Sequence, residues 1–261
     1  YFLVLIFIWE FFDTNKLRKI NCGGLSYHCF DFSEDYHKIE NTIEENTLSQ
    51  YVDLAVPQIV LDELLKQKTE QYSEDIKALK ELIDRLSKLP SVNFDLISLP
   101  DKEFNCHQHL QDSMLGYIES SKIIKITLPG ENLSDIFNSI IKRAIEKKAP
   151  FKVDPHKFSD KGFKDVLIWE CILNFQKIGD YDKVILFSSD TGFKADDCKK
   201  EFEEKIGKFL SIYDSSDLII KELKEDYKGL IRVNGIVNRI DKKYLEDFIM
   251  DQLLADNKKI Q

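Results

Sequence analysis

The chain opens on Tyr1-Phe-Leu-Val-Leu-Ile-Phe-Ile-Trp9, nine residues without a charge. A strand with one wet face alternates apolar and polar residues; this one does not, so it reads as a central strand covered on both faces. Strands of that kind belong to parallel sheets, which need helices above and below. The run is too short to span a bilayer and has neither a basic leader nor a small-residue cleavage site. It is therefore expected to be the first strand, over residues 1–12, of a protein that is soluble, cytoplasmic and free of membrane contact.

Strand and helix patterns alternate at both ends of the chain. Asp53–Val60 reads as a second strand, with Pro57 beginning a turn into a helix. Lys183–Phe187 is the clearest internal strand and Phe209–Tyr213 another. Apolar residues at spacings of three and four predict helices over 34–51, 66–90, 105–121, 134–148 and 163–175, with further helices at 201–208 and 216–224. Ile123–Leu128 reads as a short strand or loop, 152–162 as loop, Ile231–Val237 as extended and 241–254 as helix. The fold class that follows is α/β: a three-layer α/β/α sandwich on a central parallel sheet. Residues 1–225 are expected to form the main domain, with a helical insertion at about 66–150. Residues 226–261 are expected as a strand–helix extension packed on it.

Four acids sit where a buried strand ends or the next helix begins. Asp13 closes the first run, Glu63 follows Val56–Leu61, Asp165 opens the helix at 163, and Asp190 follows the strand at 183–187. Open α/β sheets carry their chemistry at the carboxyl edge of the strands. A carboxylate cluster there needs compensation, most naturally a divalent metal held by oxygen ligands. Each acid alone also has an ordinary explanation as a helix cap, first-turn acid or turn residue. At the second position Asp62 competes with Glu63 on spacing. In the third segment, Val166, Leu167 and Ile168 are expected to pin Asp165, with Trp169 as packing and Glu170 on the surface.

The motifs Asp13-Thr-Asn15, Val60-Leu-Asp-Glu-Leu64, Gly162-Phe-Lys-Asp-Val-Leu-Ile-Trp-Glu170 and Ser188-Ser-Asp-Thr-Gly-Phe193, in that order, resemble those of the PIN domain nucleases. The similarity is nearest to a bacterial PIN-like group in which an element such as Lys147-Lys-Ala-Pro-Phe151 precedes the Gly-Phe-x-Asp motif, and it spans about residues 1–220. It implies Mg²⁺- or Mn²⁺-dependent cleavage of single-stranded RNA. Carried over by motif, Asp13, Glu63, Asp165 and Asp190 are the metal-binding, catalytic acids. Asn15 and the hydroxyls of Ser189 and Thr191 are auxiliary.

Lys161 and Lys164 flank Asp165, and Lys142, Arg143, Lys147 and Lys148 crowd one helix end. Lys164, Lys161, Arg143 and Lys147 are the candidates for phosphate contact, against the alternative of a solvated helix face. Phe163 and Phe193 offer rings for base stacking, with packing beneath the site as the plainer reading; His156 is a loop histidine. Local cations and metal matter because the chain is acidic overall, at −9, and cannot attract nucleic acid by bulk charge. The five cysteines are irregularly spaced and read as reduced thiols. Cys106-His-Gln-His109 lacks the second pair that a structural zinc requires and is expected on a helix surface.

The resulting expectation is a metal-dependent endoribonuclease in a toxin, RNA-processing or defence role. A structure-specific DNA nuclease and a non-catalytic interaction module of the same fold are the alternatives. A homo-oligomer or protein partner stays open. A phosphatase would need an Asp-x-Asp pair at the first strand, where Asp13-Thr14-Asn15 stands.

Overall fold

The computed structural model describes residues 2–6, 33–88, 104–151, 162–235 and 244. Five parallel strands form one sheet: β1 (Phe2–Ile6), β2 (Val52–Pro57), β3 (Ile124–Ile126), β4 (Lys183–Phe187) and β5 (Leu210–Tyr213), in the order β3-β2-β1-β4-β5. The apolar opening run supplies the middle strand. Phe2 aligns with Val52 on one side and Lys183 on the other. Leu3, Val4 and Leu5 are fully buried, as are Val184, Ile185 and Leu186. Burial at consecutive positions means both sheet faces are covered, and each such side chain contributes about 1.5–3 kcal/mol relative to exposure.

The helices are α1 (Glu34–Glu45), α2 (Gln58–Leu86), α3 (Cys106–Ser120), α4 (Leu133–Glu146), α5 (Phe163–Leu173), α6 (Asp196–Ile206) and α7 (Ser216–Asp226). The crossovers β1–α1–β2 and β4–α6–β5 step in opposite directions from the sheet centre, so right-handedness puts α1 and α6 on opposite faces. Contacts agree: α1 packs on α7, whereas α5 packs on α4 and α6. Tyr117 of α3 donates to Glu40 of α1 at 2.7 Å, tying α3 to the first layer. The three-layer α/β/α architecture is the expected one.

Several boundaries differ from the sequence reading. β2 ends at Pro57, which caps α2, so Ile59 and Val60 are helical. Pro57 suits that place because its fixed φ leads into a helix and its missing N–H costs nothing there. α2 runs unbroken for 29 residues; only its start, at Val60, Leu61, Leu64 and Leu65, is fully buried. α6 begins at Asp196, earlier than the expected 201. Residues 231–235, expected as extended, continue a helical stretch that begins at 228. Within 66–150, β3 pairs with β2, and Leu110, Met114 and Ile118 of α3 join the main core. A second, smaller core of Ile136, Ile140 and Val166 joins α4 to α5.

Cys106, Cys171 and Cys198 are free thiols, and burial pushes Cys171 and Cys198 up to about 12. The segments expected as strand at 7–12, loop at 152–161 and helix at 241–243 and 245–254 lie outside the described residues.

Candidate active site

Parallel strands bring all their carboxyl ends to one edge, and there the sequence set its acids. Glu63 lies in the second turn of α2, directly after β2. Asp165 is the third residue of α5. Asp190 follows the end of β4 by three residues. Asp13, Asn15 and Lys161 lie outside the described residues, as does His156.

α5 is apolar almost all round, with Val166 and Ile168–Leu173 buried, which fixes it as a central helix rather than a surface one. Gly162 caps its start with φ 116°, a backbone angle that side-chain-bearing residues rarely adopt. The carbonyl of Gly162 accepts from Val166 N at 2.9 Å. Asp165 is thereby held in the first turn, where the helix dipole favours its negative charge, although it is only 7% exposed. Its neighbour Lys164 turns outward and forms an ion pair with Glu63. That pair joins the second turn of α2 to the first turn of α5 and so brings the second and third motifs together.

The loop after β4 orients Asp190 through local hydrogen bonds. Ser188 is buried, and its Oγ accepts from Asp190 N at 3.1 Å. Gly192 N donates to Asp190 Oδ1 at 2.7 Å. Gly192 must lack a side chain for a steric reason: a Cβ there would come 2.5 Å from the carbonyl oxygen of Pro150. Ser189 is half-buried and Thr191 exposed. The chain after α4 therefore lies directly against the Asp190 loop.

The same chain is held from behind by a buried polar node that sequence reasoning missed. Arg143, expected to reach phosphate, is 3% exposed and donates to both carboxylate oxygens of Glu201, at 2.6 and 2.8 Å. It also donates to the carbonyl of Ala149, just before Pro150. Trp169 Nε1 donates to Glu201 at 2.9 Å. Glu170, expected on the surface, is 1% exposed; it accepts from Ser139 at 2.8 Å and Asn174 at 3.2 Å. Burial works against ionisation of Glu201, but hydrogen bonds from Arg143 and Trp169 and the charges of Arg143 and Lys148 outweigh it. They hold the carboxyl below its ordinary range. Arg143 is thus a structural cation, and phosphate contact is excluded by its burial. The only sequence hint was a charged residue on the same helical side as Ile136 and Ile140.

The two rings differ. Phe193 is fully buried against Trp169, 6.2 Å between centroids, and packs as expected. Phe163 does not: it is exposed, at the start of α5 beside Lys164. Lys147 is exposed at the end of α4. It borders an open groove of about 400 Å³ in which Lys147, Lys148 and Lys200 alternate with Glu146, Asp197, Glu201 and Glu204. Charges so balanced give no strong preference for anions.

The donor set fits a hard divalent cation in kind, since Glu63, Asp165 and Asp190 offer only oxygens. Among the described residues, however, no three His, Cys, Asp or Glu side chains are gathered as a metal-holding group. Cys106, His107 and His109 lie in the first turn of α3 and form no such group either. No helix among the described residues is long and apolar enough to cross a membrane.

Comparison with known proteins returns no matching curated protein and no matching solved structure. A family model described as PIN domain does match, over residues 11–193, well beyond half of the chain. PIN domains have a nuclease-type fold and are generally metal-dependent. The matched span takes in all four motifs, and the chain belongs to the PIN domain family.

Proposed function

We propose that this chain is an endoribonuclease that hydrolyses phosphodiesters of single-stranded RNA with Mg²⁺ or Mn²⁺ held by Asp13, Glu63, Asp165 and Asp190. The observation that carries the reading is the Lys164–Glu63 pair. It draws two acid-bearing helix starts together at the sheet edge where Asp190 also emerges. When bound, the metal supplies an activated water and neutralises charge on the leaving oxygen.

The protein's own contribution is positioning. Asp165 stands on a helix locked by its apolar surround, the rigidity that a ligand carboxylate requires. Asp190 is oriented by Gly192 N–H and by the Ser188 turn. Asn15, Ser189 and Thr191 assist by hydrogen bonding to water or phosphate. Lys164, 52% exposed, neutralises Glu63 until substrate arrives and then serves the phosphate. Lys161 and Lys147 are the further candidates for phosphate contact. Phe163 offers an exposed ring for a base, which favours an unpaired strand because stacking needs a free π-face. A toxin, RNA-processing or defence role in the cytoplasm suits such an activity.

The test is to incubate labelled single-stranded RNA and DNA with the protein, in Mn²⁺ or in EDTA, beside Asp165→Asn. The expected result is RNA cleavage that requires Mn²⁺ and vanishes in the variant. Cleavage of DNA alone reassigns the substrate. A folded wild-type protein that cuts neither nucleic acid overturns the enzymatic reading in favour of an interaction module.

A further inference from the structure

A buried ion pair is seldom more stable than well-packed apolar side chains of the same volume. Its hydrogen bonds, however, fix direction as well as distance. The bonds of Glu201 lead toward two acids of the sheet edge. Glu201 Oε2 accepts from Trp169 Nε1 at 2.9 Å. Trp169 stands four residues after Asp165, one turn along the same side of α5. Both oxygens of Glu201 accept from Arg143 Nη2, and Arg143 Nη1 donates to the carbonyl of Ala149. The next carbonyl, of Pro150, is the one that a Cβ on Gly192 would strike, and Gly192 N–H holds Asp190 Oδ1. α6 also meets this loop directly: Cys198, three residues before Glu201, donates its thiol to the carbonyl of Gly192 at 3.7 Å.

We propose that Glu201 is a positioning residue whose carboxylate holds Asp165 and Asp190 in one fixed relation. One arm runs through Trp169 to α5, the other through Arg143 and the chain at Ala149 and Pro150 to the Asp190 loop. In the nuclease reading, on which this rests, those two acids share the metal. Such ligands must keep their places to within about 0.5 Å. Neither segment achieves that alone. Packed apolar helices can slide by small shears, and α5 is held otherwise by apolar surfaces. The bonds from Ser188 and Gly192 orient Asp190 within its own loop, but they do not set the loop against α5. Glu201 stands outside both segments and is tied to both. Its oxygens are taken by Arg143 and Trp169, with Lys148 Nζ at 3.6 Å, so it acts through the two acids and not as a ligand.

The node allows a clean perturbation. Glu170 Oε1 lies 3.7 Å from Arg143 Nη2, so Glu201→Gln leaves the guanidinium a buried counter-charge and an acceptor of the same shape. Trp169→Phe keeps a ring in the core but removes the N–H, which severs the α5 arm. Arg143→Lys keeps the charge, but one ammonium lacks the fork that serves Glu201 and Ala149 together, which severs the loop arm.

The experiment compares these three variants with the wild type as full chains, at a temperature where thermal melts show each to be folded. Amide hydrogen exchange is followed without metal, and Mn²⁺ binding by titration calorimetry. Glu201→Gln should speed exchange at Gly192 N and at Val166 N in the first turn of α5, leave the buried side of α1 unchanged, and weaken Mn²⁺ binding about 10- to 100-fold. Trp169→Phe should loosen Val166 more than Gly192, and Arg143→Lys the reverse. Each arm is thus tested by itself if one variant fails to fold. A merely structural role would raise exchange throughout the chain and leave the Mn²⁺ affinity of folded protein unaltered; either result overturns the proposal. Wild-type protein that binds Mn²⁺ and cuts RNA beside such a variant keeps the nuclease reading. Wild-type protein that does neither overturns that reading and this proposal with it.

Discussion

Arg143 and Lys164 each reach from one helix to a glutamate on another, Arg143 from α4 to Glu201 on α6 and Lys164 from α5 to Glu63 on α2. Arg143 and Glu201 are 3 and 10% exposed, against 52 and 19% for Lys164 and Glu63. The buried guanidinium gives Nη2 to both carboxylate oxygens and Nη1 to an adjacent carbonyl, and a planar array of donors is what Arg offers. The exposed ammonium reaches Glu63 on a flexible stem that water also reaches. The first pair joins three helices and has no freedom left for substrate. The second holds an acid at the sheet edge and can let go. Burial, more than residue type, separates the two: one cation is sealed between helices and the other is open to solvent at the sheet edge.

The largest effect should come from breaking the buried pair on one side. Arg143→Met leaves Glu201 in the interior without its main partner, and such a loss costs about 3–5 kcal/mol. Urea unfolding followed by circular dichroism measures it. Arg143→Met with Glu201→Leu should recover part of the deficit, because it removes one stranded charge while buried Glu170, 3.7 Å from Arg143, still loses that cation. A single variant as stable as the wild type would mean that the node is ornamental.

Next in size is Gly192→Ala. The new Cβ meets the Pro150 carbonyl at 2.5 Å, and backbone must move on one side or the other. Either shift disturbs the N–H that Gly192 gives Asp190. Displacing a catalytic group by an ångström costs up to roughly 100-fold, so Mn²⁺-dependent cleavage should fall about 10- to 100-fold, while overpacking costs about 1–3 kcal/mol of stability. Unchanged cleavage would separate Asp190 from the chemistry.

Acid should act on the buried pair through Glu201. The folded pKa of Glu201 is depressed, so its stabilisation is complete above the unfolded carboxylate value of about 4.3 and is lost as the pH falls through the folded value. Thermal melts taken from pH 7 downward should steepen their fall below about pH 4 in the wild type, and that fall should flatten in Glu201→Gln.

The sequence made the sheet legible because β1 and β4 bury consecutive residues, and an unbroken apolar run has few other homes. Acids placed after β2 and β4 and at the start of α5 were equally readable, since that edge is fixed by topology. The node was not. Glu170 and Glu201 are charged residues on helices, and amphipathic reasoning sends such residues to water. Their burial depends on Arg143, 58 positions from Glu201 along the chain, and on Trp169, whose indole N–H needs an acceptor when buried. Arg143 itself was masked by its lysine neighbours, which do face solvent. Residues 228–235 misled for a different reason. Ile231 and Val233 alternate with polar residues as in a strand, yet the chain stays helical beyond the turn at Tyr227, where tertiary contact of Leu230 and Ile231 with the core outweighs β-branching.

The smallest effect on the fold, and the most informative about the exposed pair, belongs to Lys164→Met. A half-exposed ion pair contributes about 0–1 kcal/mol, so urea unfolding should barely move. Binding should move more. Each phosphate contact removed from a single strand lowers the slope of log affinity against log salt by about 0.7, and Lys164→Met should show a reduction of that size when RNA binding is titrated in EDTA, where cleavage is off. Arg143 variants folded well enough to measure should keep the wild-type slope, because their lost charge never faced substrate. A Lys164→Met protein with an unaltered salt slope would place the phosphate path elsewhere and reduce the Glu63 pair to a clasp between α2 and α5. The converse pattern, a slope that falls in both variants, would mean that the node opens when RNA binds and that burial of Arg143 holds only for the protein without substrate.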